Sequence, residues 1–247
     1  MKPGQYLLIL SALLTFSAHA QVFDVASNDE IATRTRLIPA ESAKAVVLLF
    51  PGGGGVLKLD EQGTTANRHT FVRSANLWAR HGIDAVLVDT PYDLGNERLD
   101  RRPLKDHQER IRAVVKFYKD RTGLPIWIFG HSRGTVSVTR FASQGPEWTS
   151  LIAGVIVAGT VHSAALDTRM TLPVLAIHHK QDSCRVTPPS ASESIVSSRP
   201  SGTRAEFVLI DGGQSSGDAC GSFAHHGFNQ NEDELVDTAA RFILAEP

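Results

Sequence analysis

From residue 45 onward the chain alternates short, unbroken apolar runs with segments whose apolar residues recur every three or four positions. Residues 45–50, 83–88, 126–129, 151–157, 172–177 and 206–210 are runs rich in branched and aliphatic side chains, bounded by glycine, proline or charge. Runs of this kind predict strands buried on both faces. Residues 67–81 set Phe71, Val72, Ala75, Leu77 and Trp78 among polar residues, and 106–121 set Ile111, Val114, Val115, Phe117 and Tyr118 among charges. Both have the helical period. Further helices are predicted from Thr135 to about Ser143, over 191–198 and over 233–244. Strands that alternate with helices give an α/β fold, a mostly parallel central sheet with helices on both faces. Residues 22–39 add one or two antiparallel edge strands. No repeat, low-complexity tract or linker divides 21–247, which reads as a single domain.

Composition narrows the partners. The 247 residues are 42% hydrophobic and 21% charged, with a net charge of −1, which fits a globular protein with a sizeable core. No basic stripe is present, which argues against nucleic acid. At the N-terminus, Lys2, an apolar stretch from Tyr6 to Phe16 and Ala18-His19-Ala20 form a signal-peptide pattern. Cleavage is expected near Ala20, and the mature chain is expected to be secreted or periplasmic. The apolar stretch is short of the roughly 20 residues that span a bilayer, and no later stretch is longer, so no membrane span is expected. An exported chain with two cysteines predicts a Cys184–Cys220 disulfide.

The chemistry begins at Gly130-His131-Ser132-Arg133-Gly134, between the 126–129 strand and the following helix. A strand that turns sharply into a helix exposes its central serine at the carboxyl edge of the sheet, making Ser132 the candidate nucleophile. A serine hydroxyl needs a base and an acid to orient that base, expected later in the chain in the order nucleophile, acid, base. Asp182, five residues past Ile177, is the candidate acid. His226 is the candidate base, with His225 as the alternative that spacing leaves open. His131, His178 and His179 read as packing or surface residues. The four glycines 52–55 follow the first central strand and leave backbone N–H groups uncovered. Gly53, with Gly54 close behind, and Arg133 are the candidate oxyanion donors. Neither a P-loop ending nor metal-ligand spacing is present, so no metal or cofactor is expected. A Cys184–Cys220 bridge would tie the acid loop to the base loop.

With Ser132, Asp182, His226 and the glycine turn in this order, residues 44–245 resemble the α/β-hydrolase superfamily. The segments around Phe71-Val72-Arg73-Ser74 and Val88-Asp89-Thr90-Pro91-Tyr92-Asp93 look like those of small secreted bacterial members. His226-Gly227-Phe228 is similar to the dienelactone-hydrolase-like branch. The resemblance implies a serine hydrolase acting on carboxylic esters through an acyl-enzyme. The chain departs at Pro51, where many esterases of the superfamily have His, and in using Ser where true dienelactone hydrolases have Cys. No long insertion follows 151–157, so no large lid is expected, which fits small soluble esters. Arg101, Arg102 and the 92–104 loop are candidates to border the pocket. A peptidase or amidase would use the same triad, and a non-catalytic binding module could keep the fold.

Overall fold

Five adjacent strands with every residue buried form the centre of the sheet: β3 (Ala45–Phe50), β4 (Ile83–Asp89), β5 (Ile126–His131), β6 (Gly154–Ala158) and β7 (Val174–His179). The computed structural model describes residues 20–28, 31–96 and 98–245. The expected leader, 1–20, lies outside them except for Ala20. With β1 (Gln21–Val25), β2 (Thr33–Ile38) and β8 (Ala205–Ile210), the strands make one sheet in the order β1-β2-β4-β3-β5-β6-β7-β8. β1 pairs antiparallel with β2, and β2 with β4; every other pairing is parallel.

Alternation along each strand divides the core in two. Val47, Leu49, Ala85, Leu87 and Phe129 face one side, against α1 (Thr70–Ser74) and α6 (Glu232–Leu244). Val46, Leu48, Val86, Ile128 and Val157 face the other, against α2 (Lys105–Thr122), α3 (Gly134–Ala142) and α5 (Pro189–Ser197). In α2 the buried residues Ile111, Val114, Val115 and Tyr118 follow the helical period, and Gly123 ends the helix at φ +67°. The Tyr118 hydroxyl, 2.7 Å from Thr35 Oγ1, fixes α2 to β2.

The expected helix over 67–81 is divided. Asn67 Oδ1 accepts from His69 N–H at 2.8 Å, and Asn67 Nδ2 donates to Val56 O at 3.1 Å, so the first residues serve a turn. α1 follows, then a 3-10 helix, Ala75–His81, which buries Trp78 and ends at Gly82 (φ +67°). The expected strands at 151–157 and 172–177 begin later and reach further, so His178 and His179 end β7 instead of lying in a loop. A short helix absent from the sequence reading, α4 (Pro146–Thr149), has Pro at its start. Residues 159–173 join β6 to β7 without helix or strand, so no lid stands there.

One buried base outside the carboxyl edge has a measurable consequence. His107 on α2 lies 2.9 Å from Ser137 Oγ on α3, and burial pushes it down to about 3. The folded chain therefore refuses a proton that the unfolded chain takes up below about pH 6.5. Stability is full above that pH and is lost as the pH falls towards 3. Denaturant unfolding between pH 6.5 and 4.5 should show His107→Gln losing stability less steeply than wild type, by up to about 1.4 kcal/mol per pH unit.

Candidate active site

Ser132 stands at the carboxyl end of β5 with φ +53°, the left-handed region that L residues avoid. Its N–H donates to Ala158 O at 2.9 Å, anchoring the turn to β6. The two flanking glycines are required by space. A Cβ on Gly134 would stand 2.1 Å from Phe50 O, and one on Gly130 would stand 2.4 Å from Gly134 O. The turn is thus pressed against the end of β3, where the glycine-rich segment begins. A Cβ on Gly52 would meet Ser132 Cβ at 2.8 Å, so that segment lies against the serine.

The loops after β7 and β8 bring Asp182 and His226 together. His226 Nδ1 is 2.9 Å from Asp182 Oδ2, and both side chains are almost wholly buried. Asp182 Oδ1 accepts from Cys184 N–H at 2.9 Å, and Thr187 Oγ1 donates to Oδ2 at 3.1 Å. Burial pushes the Asp182 carboxyl up, but the hydrogen bonds from His226 and Cys184 outweigh it and hold the group below its ordinary value. A carboxylate at Nδ1 places the proton there, so Nε2 carries the lone pair, and Nε2 has no hydrogen-bond partner among the described residues. Ser132 Oγ and His226 Nε2 are not hydrogen-bonded to each other; in hydrolases without substrate, hydrogen bonds between a nucleophile and its base are often long until substrate binds. His225 turns the other way, stacking on His179 with ring centroids 4.5 Å apart.

Cys184 and Cys220 are joined by a disulfide across 36 residues of sequence. The residue whose N–H holds Asp182 is therefore covalently tied to the loop that leads to His226.

His69 and Thr187 belong to the site and were not singled out from sequence. Phe71 N–H points at His69 Nδ1 (3.1 Å) and Gly52 N–H at His69 Nε2 (3.0 Å), yet a neutral imidazole accepts at only one nitrogen. The next contacts decide between them. His131 Nε2 lies 2.9 Å from the His226 carbonyl and must donate to it, so His131 Nδ1 accepts from His69 Nε2–H at 3.2 Å. His69 Nδ1 then receives Phe71 N–H, and Gly52 N–H, beside Ser132, is left without an acceptor among the described residues. Burial pushes His69 down to about 3 and His131 well below its ordinary value, so both stay neutral. His131, expected to pack or lie at the surface, is buried and serves as a strut beneath the His226 backbone. His178, expected to pack or lie at the surface, is wholly buried with Nε2 3.5 Å from Asp182 Oδ2. No sequence spacing marks the His69–His131 and His131–His226 contacts, because they join residues 62 and 95 positions apart.

Among the candidate donors, the N–H groups of Gly53 and Arg133 have no acceptor among the described residues. Gly53 has φ +55°, and nothing lies within 4 Å of where its Cβ would be, so that face of the turn is open. Beside the elbow is a cleft of about 180 Å³ bordered by Asp100, Pro103, Arg133, Val136, Val161 and Ser163. A larger cavity of about 420 Å³ lies at the other end of α3, against 167–172, away from Ser132. Of the expected pocket border, Arg102 is wholly buried against the glycine turn, whereas Arg101 pairs with Asp106 at 3.1 Å. No group of three or more metal-ligating side chains occurs among the described residues, and no helix among them is long and apolar enough to cross a membrane.

This architecture is the α/β-hydrolase fold. Over 94% of this chain and 99% of the other, the structure is similar to an α/β serine hydrolase without lid from Xanthomonas campestris, with TM-score 0.65 and 14% identity. It is also similar to a dienelactone hydrolase from Anabaena variabilis (TM-score 0.63, 16% identity, 92% and 97% covered). A cold-adapted esterase from an Arctic intertidal metagenomic library matches with TM-score 0.56 and 16% identity over 90% and 92% of the two chains. No family model and no curated protein sequence matches the chain.

The covalent tie between the acid and base loops predicts a stability difference. Replacing both cysteines by alanine should cost about 4 kcal/mol, the chain-entropy value for a loop of this size. Denaturant unfolding of the oxidised protein against the double variant measures it; equal midpoints would show that the bridge does not constrain the unfolded chain.

Proposed function

We propose that the protein is an exported serine hydrolase, a carboxylesterase acting on small soluble esters through an acyl-enzyme. The observation that carries this reading is the buried Asp182–His226 hydrogen bond, which leaves His226 Nε2 unpartnered at the sheet edge that bears the elbow serine. The strained turn at Ser132, the open glycine turn and the esterases among the structurally similar proteins support it. The disulfide and the Ala18-His19-Ala20 pattern support export, with 21–247 as a single mature domain.

In this mechanism Ser132 Oγ attacks the ester carbonyl carbon while His226 Nε2 takes the hydroxyl proton. The carbonyl oxygen becomes an oxyanion, which the N–H groups of Gly53 and Arg133 bind. Asp182 holds the imidazole in the tautomer that accepts at Nε2 and stabilises the imidazolium. Collapse breaks the ester C–O bond, and the imidazolium proton goes to the departing alkoxide. A water then attacks the acyl carbon, gives its proton to His226, and Ser132 leaves with that proton returned. The cleft beside the elbow and the absence of helix or strand over 159–173 suit short acyl or alkyl groups.

Ser132→Ala should lower kcat for a short p-nitrophenyl ester by about 10³-fold or more, with the variant still folded by circular dichroism. Wild-type activity in the variant would defeat the proposal. Cleavage of the matching anilide at a kcat/KM equal to the ester's would move the assignment from esterase to amidase.

A further inference from the structure

The glycine turn at 52–55 has no side chains to stiffen it, and glycine is the residue with the most backbone freedom. Oxyanion donors work by being fixed before charge develops. Something outside the turn must therefore hold it. The Gly52 carbonyl accepts from Gly55 N–H at 3.0 Å, closing the turn on itself, and Gly54 O accepts from Leu94 N–H at 2.8 Å. The Gly53 carbonyl is held differently, by Arg102 Nη2 at 2.6 Å, the one side-chain bond to a carbonyl of the turn among the described residues.

Arg102 is an expensive residue to place there. Its side chain is wholly buried, and burial pushes it down to about 10, still protonated at neutral pH. Its backbone and side chain are both pinned: Arg102 N–H donates to Asp100 Oδ1 at 3.0 Å, Nη1 lies 3.4 Å from the same oxygen, and Arg102 O accepts from Gln108 Nε2 at 2.7 Å. The other oxygen of Asp100 lies 3.0 Å from Arg133 Nη2. Asp93, whose carboxylate lies against Gly54, is a further counter-charge. A polar chain thus runs Gly53–Arg102–Asp100–Arg133, and its two ends are the residues that supply the oxyanion donors.

We propose that Arg102 is a positioning residue of the oxyanion hole, fixing the Gly53–Gly54 peptide through the Gly53 carbonyl, while Asp100 ties that constraint to Arg133. A charge-assisted bond to the carbonyl sets the plane of the peptide and, through it, the conformation of the turn that presents Gly53 N–H. Asp100 links this turn to the elbow, so the two donors keep their separation as the oxyanion forms. The inference rests on the serine-hydrolase reading.

The test compares Arg102→Met, Arg102→Lys and Asp100→Asn with wild type, using a short p-nitrophenyl ester and an alkyl trifluoromethyl ketone. The ketone adds Ser132 Oγ to its carbonyl carbon, the serine proton passes to His226, and the adduct carries an oxyanion like that of the reaction. Arg102→Met should lower kcat at least about tenfold with KM within about threefold, and weaken the ketone by the same factor as kcat. Arg102→Lys, which keeps a charged donor, should recover most of both losses. An unchanged kcat overturns the proposal, and so does a fall in kcat with unchanged ketone affinity. If Arg102→Met fails to fold, Asp100→Asn decides by the same paired readout. A dead Ser132→Ala beside a fully active Arg102→Met leaves the hydrolase reading standing and removes this one; an active Ser132→Ala removes both.

Discussion

The whole site depends on the crowding of backbone between the ends of β3 and β5. Gly134 lies so close to the Phe50 carbonyl that even a methyl group would overlap it, and Gly130 is as close to Gly134. This contact lets a strand reverse into α3 within a few residues, with Ser132 forced to φ +53° at its apex. The strain is tolerated because parallel neighbours on both sides over-determine the turn, β3 through packing and β6 through the Ala158 carbonyl. The same closeness sets the glycine turn against the serine. The elbow serine and the glycine turn therefore share one geometric cause.

Around that apex, polar groups arrive from loops far apart in sequence, and each is constrained twice. Asp182 is held by its own loop through Cys184 N–H and by His226 across the site. His226 is held by Asp182 at its ring and by His131 at its carbonyl. Neutral histidines perform this bracing without adding charge to a buried region, and their proton positions follow one from another: the His226 carbonyl fixes His131, which fixes His69, whose Nδ1 then receives Phe71 N–H. The disulfide closes the arrangement from outside, joining the Asp182 loop to the loop that leads to His226. Hydrogen bonds over such distances hold only if the loops that carry them are restrained.

The fold was largely legible in the sequence, because unbroken apolar runs and helical periods encode a buried parallel sheet directly. Where reading and structure part, a competing interaction is visible. The helix expected over 67–81 loses its start to the Asn67 turn, and β7 extends through His178 and His179 because imidazoles can be buried in neutral, hydrogen-bonded form. The proposal of Ser132, Asp182 and His226 rests on order and on places after strands, which the sequence carries; the structure sets His226 on Asp182 and His225 on His179, a choice that spacing leaves open. His69, Thr187 and the reach of Arg102 to Gly53 were not legible. His69 and Arg102 act through contacts between segments whose register depends on the completed sheet, and Thr187 meets Asp182 within a single loop that has no regular period.

Covalent labelling decides whether Ser132 is a nucleophile activated by His226 and Asp182, as proposed. The protein is treated with a fluorophosphonate probe, digested and mapped by mass spectrometry, beside His226→Asn and a heat-unfolded control. The expected result is one adduct on the peptide carrying Ser132, strongly reduced in His226→Asn and absent after unfolding. An adduct at another residue, or no adduct in folded protein of verified mass, would contradict it.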